Sequence, residues 1–161
     1  MKPNYLLPNS YKKIGWFLLI PALIVGLLAL FGVFLFQDIK FLEVKVFSLY
    51  SSQIFGHKIK FGFIKNNISD EIISILIIIG GIFVAFSKEK HEDEFIAKIR
   101  MESLVWAIYV NYAILLLSII LIYDLEFLDV MIFNMFTILI FFIIRFYYIL
   151  YKTNKTLSNE K

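Results

Sequence analysis

Residues 14–36 run for 23 positions without a charged side chain, and no polar stripe recurs within them every three or four residues. A helix on the surface of a water-soluble protein keeps one polar face, whereas a helix that is apolar all round lies in a core or a bilayer. A hydrocarbon core of ~30 Å is crossed by ~20 helical residues, so this block predicts a first span with some tilt. A secretory signal core is only ~7–15 residues long and ends in a small-x-small site. This block instead runs on through Phe34, Leu35 and Phe36 to Gln37, so it reads as a retained anchor. Three more apolar blocks follow, at 69–87, 104–123 and 130–151. The predicted fold is an all-α membrane protein, a single four-transmembrane-helix bundle occupying 1–161.

The connections differ in kind. Residues 37–68 form the longest polar stretch, and two β-prone runs, 43–49 and 58–63, flank Ser51, Ser52 and Gly56. They predict a small β-hairpin lying on the membrane surface, with an amphipathic interfacial helix as the alternative. Asn66, Asn67 and Ser69 supply capping oxygens for the second span, and Asp70 and Glu71 suit the positive end of its dipole. Residues 88–103, KEKHEDEFIAKIRMES, are the long charged run between the second and third blocks. Its i,i+4 pairs Glu94–Lys98 and Lys98–Glu102 favour helix. Nothing interrupts the pattern at Ser103, so one helix is expected from His91 to Tyr123, extending beyond the bilayer. Residues 124–129 read as a tight acidic turn, and residues 152–161 as a polar tail.

Composition agrees with this pattern. Sixty per cent of the chain is apolar and its mean hydropathy is +0.81, against ~45–50% apolar in soluble domains. A net charge of +3, locally balanced, is too small to imply nucleic acid. With no cysteine, disulfides, thiolate metal sites and cysteine nucleophiles are excluded. Lys and Arg number ten over the N-terminal tail, residues 88–103 and the C-terminal tail, against five in the first loop. By the positive-inside rule, both termini and the charged run are cytoplasmic, in a bacterial inner membrane.

Few side chains suggest chemistry. Arg145 lies within the fourth apolar block, where a charge costs ~2.5–3.5 kcal/mol and needs a partner, a cavity or a route to the interface. Counted from the ends of their spans, Arg145 and Asn111 fall at similar depth, which makes them a candidate intramembrane pair. Asn134 and Thr137 are expected to join helices. Ala22, Gly26, Ala29 and Gly32, and again Gly80, Gly81 and Ala85, allow close helix approach, within the bundle or between two copies. His91 and Glu94 share the i,i+3 spacing of metal-binding helices, but the chain has no second such pair. No metal, cofactor or catalytic residue is therefore expected, and the chain is expected not to be an enzyme.

The segments Lys90-His91-Glu92-Asp93-Glu94-Phe95, Lys98-Ile99-Arg100, Ser103-Leu104-x-Trp106-Ala107, Asn111-Tyr112, Asn134-x-Phe136-Thr137 and Arg145-Phe146 resemble an uncharacterised family of small four-span inner-membrane proteins of Bacteroidetes-type bacteria. The resemblance covers the second half of the chain and brings no activity with it. The charged run is also similar to that of small membrane proteins encoded beside helix-turn-helix regulators, which implies a regulatory partner. The expected function is binding of a cytoplasmic protein through Glu94, Phe95, Lys98, Ile99 and Glu102. The alternative is a channel or transporter subunit with a polar pocket around Arg145 and Asn111.

Overall fold

The computed structural model describes residues 6–30, 42–51, 59–90 and 92–159. Among them are helix α1 (Ser10–Leu30), strands β1 (Glu43–Ser51) and β2 (Ile59–Asn67), and helices α2 (Ser69–Phe86), α3 (Glu94–Leu121) and α4 (Leu125–Asn159). All four helices are long and apolar enough to cross a membrane. Phe17, Tyr109, Leu121 and many other large apolar side chains on them are exposed. Water does not tolerate apolar surface on that scale, and lipid does. The chain divides into two compact units, residues 21–76 and residues 1–20 with 77–161.

In the first of these units the long loop folds as the hairpin, not as an interfacial helix. β1 and β2 are antiparallel, in a register that sets Glu43 opposite Asn67 and Phe47 opposite Phe63. The ladder skips the Leu49–Phe61 position, where Phe61 takes a left-handed φ of 54°, uncommon for a bulky side chain. Phe47 and Phe63 meet edge to face at 5.5 Å, and with Leu49 and Phe61 they stay exposed. The hairpin leads directly into α2. Asn67 Oδ1 accepts the Ser69 backbone N–H at 3.0 Å and the Ser69 hydroxyl. Of the expected capping oxygens that of Asn67 is therefore in use, while the Asn66 amide donates to Glu71 at 2.9 Å. Gly32 and His57 lie outside the described residues.

In the other unit, α3 and α4 form an antiparallel hairpin around a turn in which Asp124 has φ 59°, a conformation Asp adopts more readily than most residues. The turn is shorter than 124–129, because α4 already begins at Leu125. α3 starts at Glu94, not at 91: Asp93 stays extended and accepts the Ile96 N–H at 2.8 Å. A carboxylate at that position serves better as an N-cap than inside the first turn. His91 lies outside the described residues. At 28 residues α3 spans ~42 Å, whereas α4 has 35 residues and continues through the expected tail to Asn159.

α1 and α2 touch backbone to backbone. A Cβ added at Gly15 would lie 2.8 Å from the Val84 nitrogen, and one added at Gly80 would lie 2.8 Å from the Leu19 nitrogen. Gly80 belongs to the small-residue face read from the sequence; Gly15 does not, and sequence reasoning passed it over. Phe86, Phe142 and Phe146 stack in series at 5.9 Å spacings. Phe142 and Phe146 are fully buried, as are Val84, Ala85 and Ala107.

Candidate functional site

The C-terminal end of α2 is the most heavily built polar feature among the described residues. An α-helix leaves its last four carbonyls without partners, and a glycine in the left-handed conformation commonly resolves this. α2 ends instead at Phe86, followed by Ser87, and its end is buried. Side chains and the backbone of Leu7 take up the open acceptors. The Ser87 hydroxyl donates to the Phe83 carbonyl at 2.5 Å, and the Tyr147 hydroxyl to that of Val84 at 3.3 Å. Arg100 Nη1 donates to the carbonyls of Ala85 and Ser87 at 2.9 and 3.1 Å. The Leu7 N–H donates to the Phe86 carbonyl, while the Lys88 N–H returns a bond to Leu7. Asn9 Nδ2 donates to the Lys88 carbonyl at 2.5 Å. Six consecutive carbonyls, 83–88, are thus satisfied.

Arg100 is the centre of this arrangement. It is 5% exposed, and its other arm, Nη2, donates to both Glu92 oxygens at 3.0 Å. Glu92 also accepts the Glu89 N–H at 2.8 Å, which folds the α2–α3 connection back over the guanidinium. Phe146 supplies an aromatic face 4.8 Å below it. A cation beside the negative end of a helix dipole is favourable, and the planar fork of Arg reaches two carbonyls and a carboxylate together. A second ion pair lies beside the first. Lys12 Nζ sits 2.7 Å from Glu89 and 4.7 Å from the centre of the Tyr147 ring, and Trp16 packs against that ring at 5.5 Å. The N-terminal segment, the α2–α3 connection and the later part of α4 therefore meet at one end of the helices.

The structure separates the expected Arg145–Asn111 pair. Asn111, 1% exposed, exchanges amide hydrogen bonds with Asn134 at 3.2 and 3.4 Å and accepts from the Thr137 hydroxyl. Arg145 lies over the Trp106 ring at 4.7 Å, and its Nε is buried without a hydrogen-bond partner. The cause is register. Depth was counted from Tyr151 as the end of a span, but α4 continues past it, so Arg145 lies level with Trp106 and not with Asn111. Asn134 and Thr137 join helices as expected.

Of the five partner-binding candidates, four are outward. Glu94 and Phe95 are exposed, and Lys98 and Glu102 form an exposed i,i+4 pair at 3.9 Å, a geometry worth ~0–1 kcal/mol. Ile99 is not part of that face. It is 4% exposed because each helical residue turns the chain ~100°. That turn sets Ile99 on the arc of Arg100, Ser103, Ala107 and Asn111, all buried.

Sequence reasoning missed Arg100, Glu92 and the Lys12–Glu89 pair. One signal was available: sixteen basic residues include only two arginines, Arg100 and Arg145, and both lie over aromatic rings. Among the described residues no group of three or more His, Asp or Glu side chains could hold a metal ion.

The Asn111 cluster gives a measurable expectation. Asn111→Leu strands the Asn134 amide and the Thr137 hydroxyl, and interhelical polar contacts in membranes are worth about 0.6–2 kcal/mol. We expect a loss of about 1 kcal/mol on unfolding in mixed micelles, partly recovered in the double variant Asn111→Leu/Asn134→Leu. Simple additivity of the two single losses would show that the amides do not interact.

No family model matches this chain, and no curated protein or solved structure matches it either.

Proposed function

We propose that this chain is a multi-pass bacterial inner-membrane protein without catalytic activity, a helical bundle with both termini in the cytoplasm, which binds a soluble and regulatory cytoplasmic protein. The observation that carries this reading is the division of α3 into two faces over its first three turns. Inward, Ile99, Arg100 and Ser103 are buried and tied to the end of α2. Outward, Glu94, Phe95, Lys98, Met101 and Glu102 are exposed. Fixing the inner face removes much of the ordering cost that a mobile segment would meet on binding. The outer face offers alternating charge beside two apolar side chains, and so suits a partner with an apolar contact rimmed by opposite charges.

The sidedness is supported by two independent features. Lys and Arg are concentrated in the N-terminal tail, the α2–α3 connection and the C-terminal tail, and contacts link residue 7 to 87 and 88, 9 to 88, and 12 to 89 and 147. A channel or transporter would draw on Arg145 and Asn111 together, and these belong to separate contacts.

The test is co-purification from native membranes in mild detergent. A charge-reversed, truncated face, Phe95→Ala/Lys98→Glu/Glu102→Lys, should lose its partner at least about tenfold while melting within ~1 kcal/mol of the parent, since each position is exposed. An unchanged set of co-purifying proteins would overturn the reading. A periplasm-activated reporter fused after Lys155 should stay silent, and activity there would reverse the topology.

A further inference from the structure

Beside the Lys12–Glu89 pair, at the start of α1, lies an open cavity of about 440 Å³, inside the roughly 300–1,000 Å³ range of small-molecule clefts. Its polar side is basic. Lys12, Lys13 and Lys90 line it against one carboxylate, Glu89. Glu89 is already engaged by Lys12 at 2.7 Å, so the remaining charge is that of Lys13 and Lys90, both exposed. Asn9 lends one amide hydrogen to Lys88 and has a second to give. The other wall is apolar, formed by Trp16, Ile96 and Leu150.

We propose that this cavity binds the phosphate head group of an anionic phospholipid. Three observations converge on that ligand. The excess positive charge calls for an anion. The apolar wall, built from α1, α3 and α4, continues into helices whose outer surfaces suit lipid, so a bound molecule would need a hydrocarbon part. Lys12 and Lys13 stand in the first turn of a candidate span and Trp16 one turn further in, the level at which lysines and tryptophans meet lipid head groups. Basic recesses between spanning helices hold such head groups elsewhere. A soluble phosphate would satisfy the lysines and leave the apolar wall unused. The site lies outside the Glu94–Glu102 face and stands independently of the partner proposed for it.

The experiment uses the full chain, delipidated in a neutral maltoside detergent. Dioleoylphosphatidylglycerol, dioleoylphosphatidylcholine and inorganic phosphate are titrated separately, with melting temperature and native mass spectrometry as readouts. Phosphatidylglycerol should raise the melting temperature saturably and appear as a retained adduct; the other two should do neither. Each lysine near a membrane surface contributes about fivefold to anionic-lipid binding. Lys13→Gln/Lys90→Gln should therefore weaken the phosphatidylglycerol response at least about tenfold, with an unchanged melting temperature in detergent alone. Lys45→Gln/Lys65→Gln, which removes the same charge from the hairpin, should not weaken it. Equal responses to the two lipids, or an equal loss in both double variants, would overturn the proposal. So would inorganic phosphate reproducing the full effect, which would make the ligand a soluble anion.

Discussion

Arg100→Leu should cost this protein about 3–5 kcal/mol, the usual penalty for breaking a buried ion pair from one side. The substitution leaves Glu92, of which 14% of the side chain is exposed, without its cation. It also strips the Ala85 and Ser87 carbonyls of their donor. An unsatisfied buried polar group adds ~1–3 kcal/mol, so the loss rivals the total stability of many domains. Arg100→Lys should not rescue it. An ammonium presents its donors from one point, whereas here one arm serves the helix end and the other serves the carboxylate. Glu92→Gln should be milder, because an amide oxygen still accepts from Nη2. In Arg100→Leu/Glu92→Leu the stranded charge disappears, and part of the stability should return. Unfolding of the four variants in mixed micelles decides the matter; a silent Arg100→Lys would mean that the guanidinium geometry is incidental.

Gly80→Leu is expected to separate α1 from α2. Intrinsic propensity favours replacing a helical glycine by up to ~1 kcal/mol, so propensity alone predicts a more stable helix. Packing predicts the reverse and outweighs it. The new Cβ would meet the Leu19 nitrogen at 2.8 Å and the Gly15 carbonyl oxygen at 3.1 Å. Those are backbone atoms, and they yield only if a whole helix moves. Overpacking a tight contact costs ~1–3 kcal/mol, and a leucine adds three more carbons to place. The neighbouring glycine is the control. A Cβ at Gly81 meets only the side-chain end of Leu139, which can turn aside, so Gly81→Ala should lose far less than Gly80→Ala. Equal melting temperatures for those two alanine variants would show that the backbone contact at Gly80 is not limiting.

The four long apolar helices were legible because apolar residues recur at every angle of each one over enough positions to cross a membrane. The hairpin was legible too, through β-prone runs flanking a small-residue turn. What sequence could not offer was register. Asn111 and Asn134 are nearly equidistant from Tyr123, so counting outward from the closed end of the α3–α4 hairpin pairs them. Counting inward from the open end, where α4 had no visible stop, paired Asn111 with Arg145 instead. The Arg100 site was hidden for another reason. Two of its acceptors are main-chain carbonyls, which every residue carries, and its carboxylate sits in a connection with no periodicity. Phe95 and Ile99, expected on one binding surface, straddle the boundary between the outer and inner arcs of α3, so the first is exposed and the second buried.

The cap on α2 also fixes an order of events during biogenesis. Leu7 and Asn9 have left the ribosome before Phe86 does, so their part of the closure can form at once. Arg100 and Tyr147 follow later, and Tyr147 trails Phe86 by 61 residues. At ~5–20 residues per second that is a delay of roughly 3–12 s. Throughout it the Val84 carbonyl lacks its Tyr147 donor, whereas Ala85 waits only for Arg100, 14 residues behind Phe86. The end of the second helix is therefore closed in steps, by the N-terminal segment, then by α3, and last by α4.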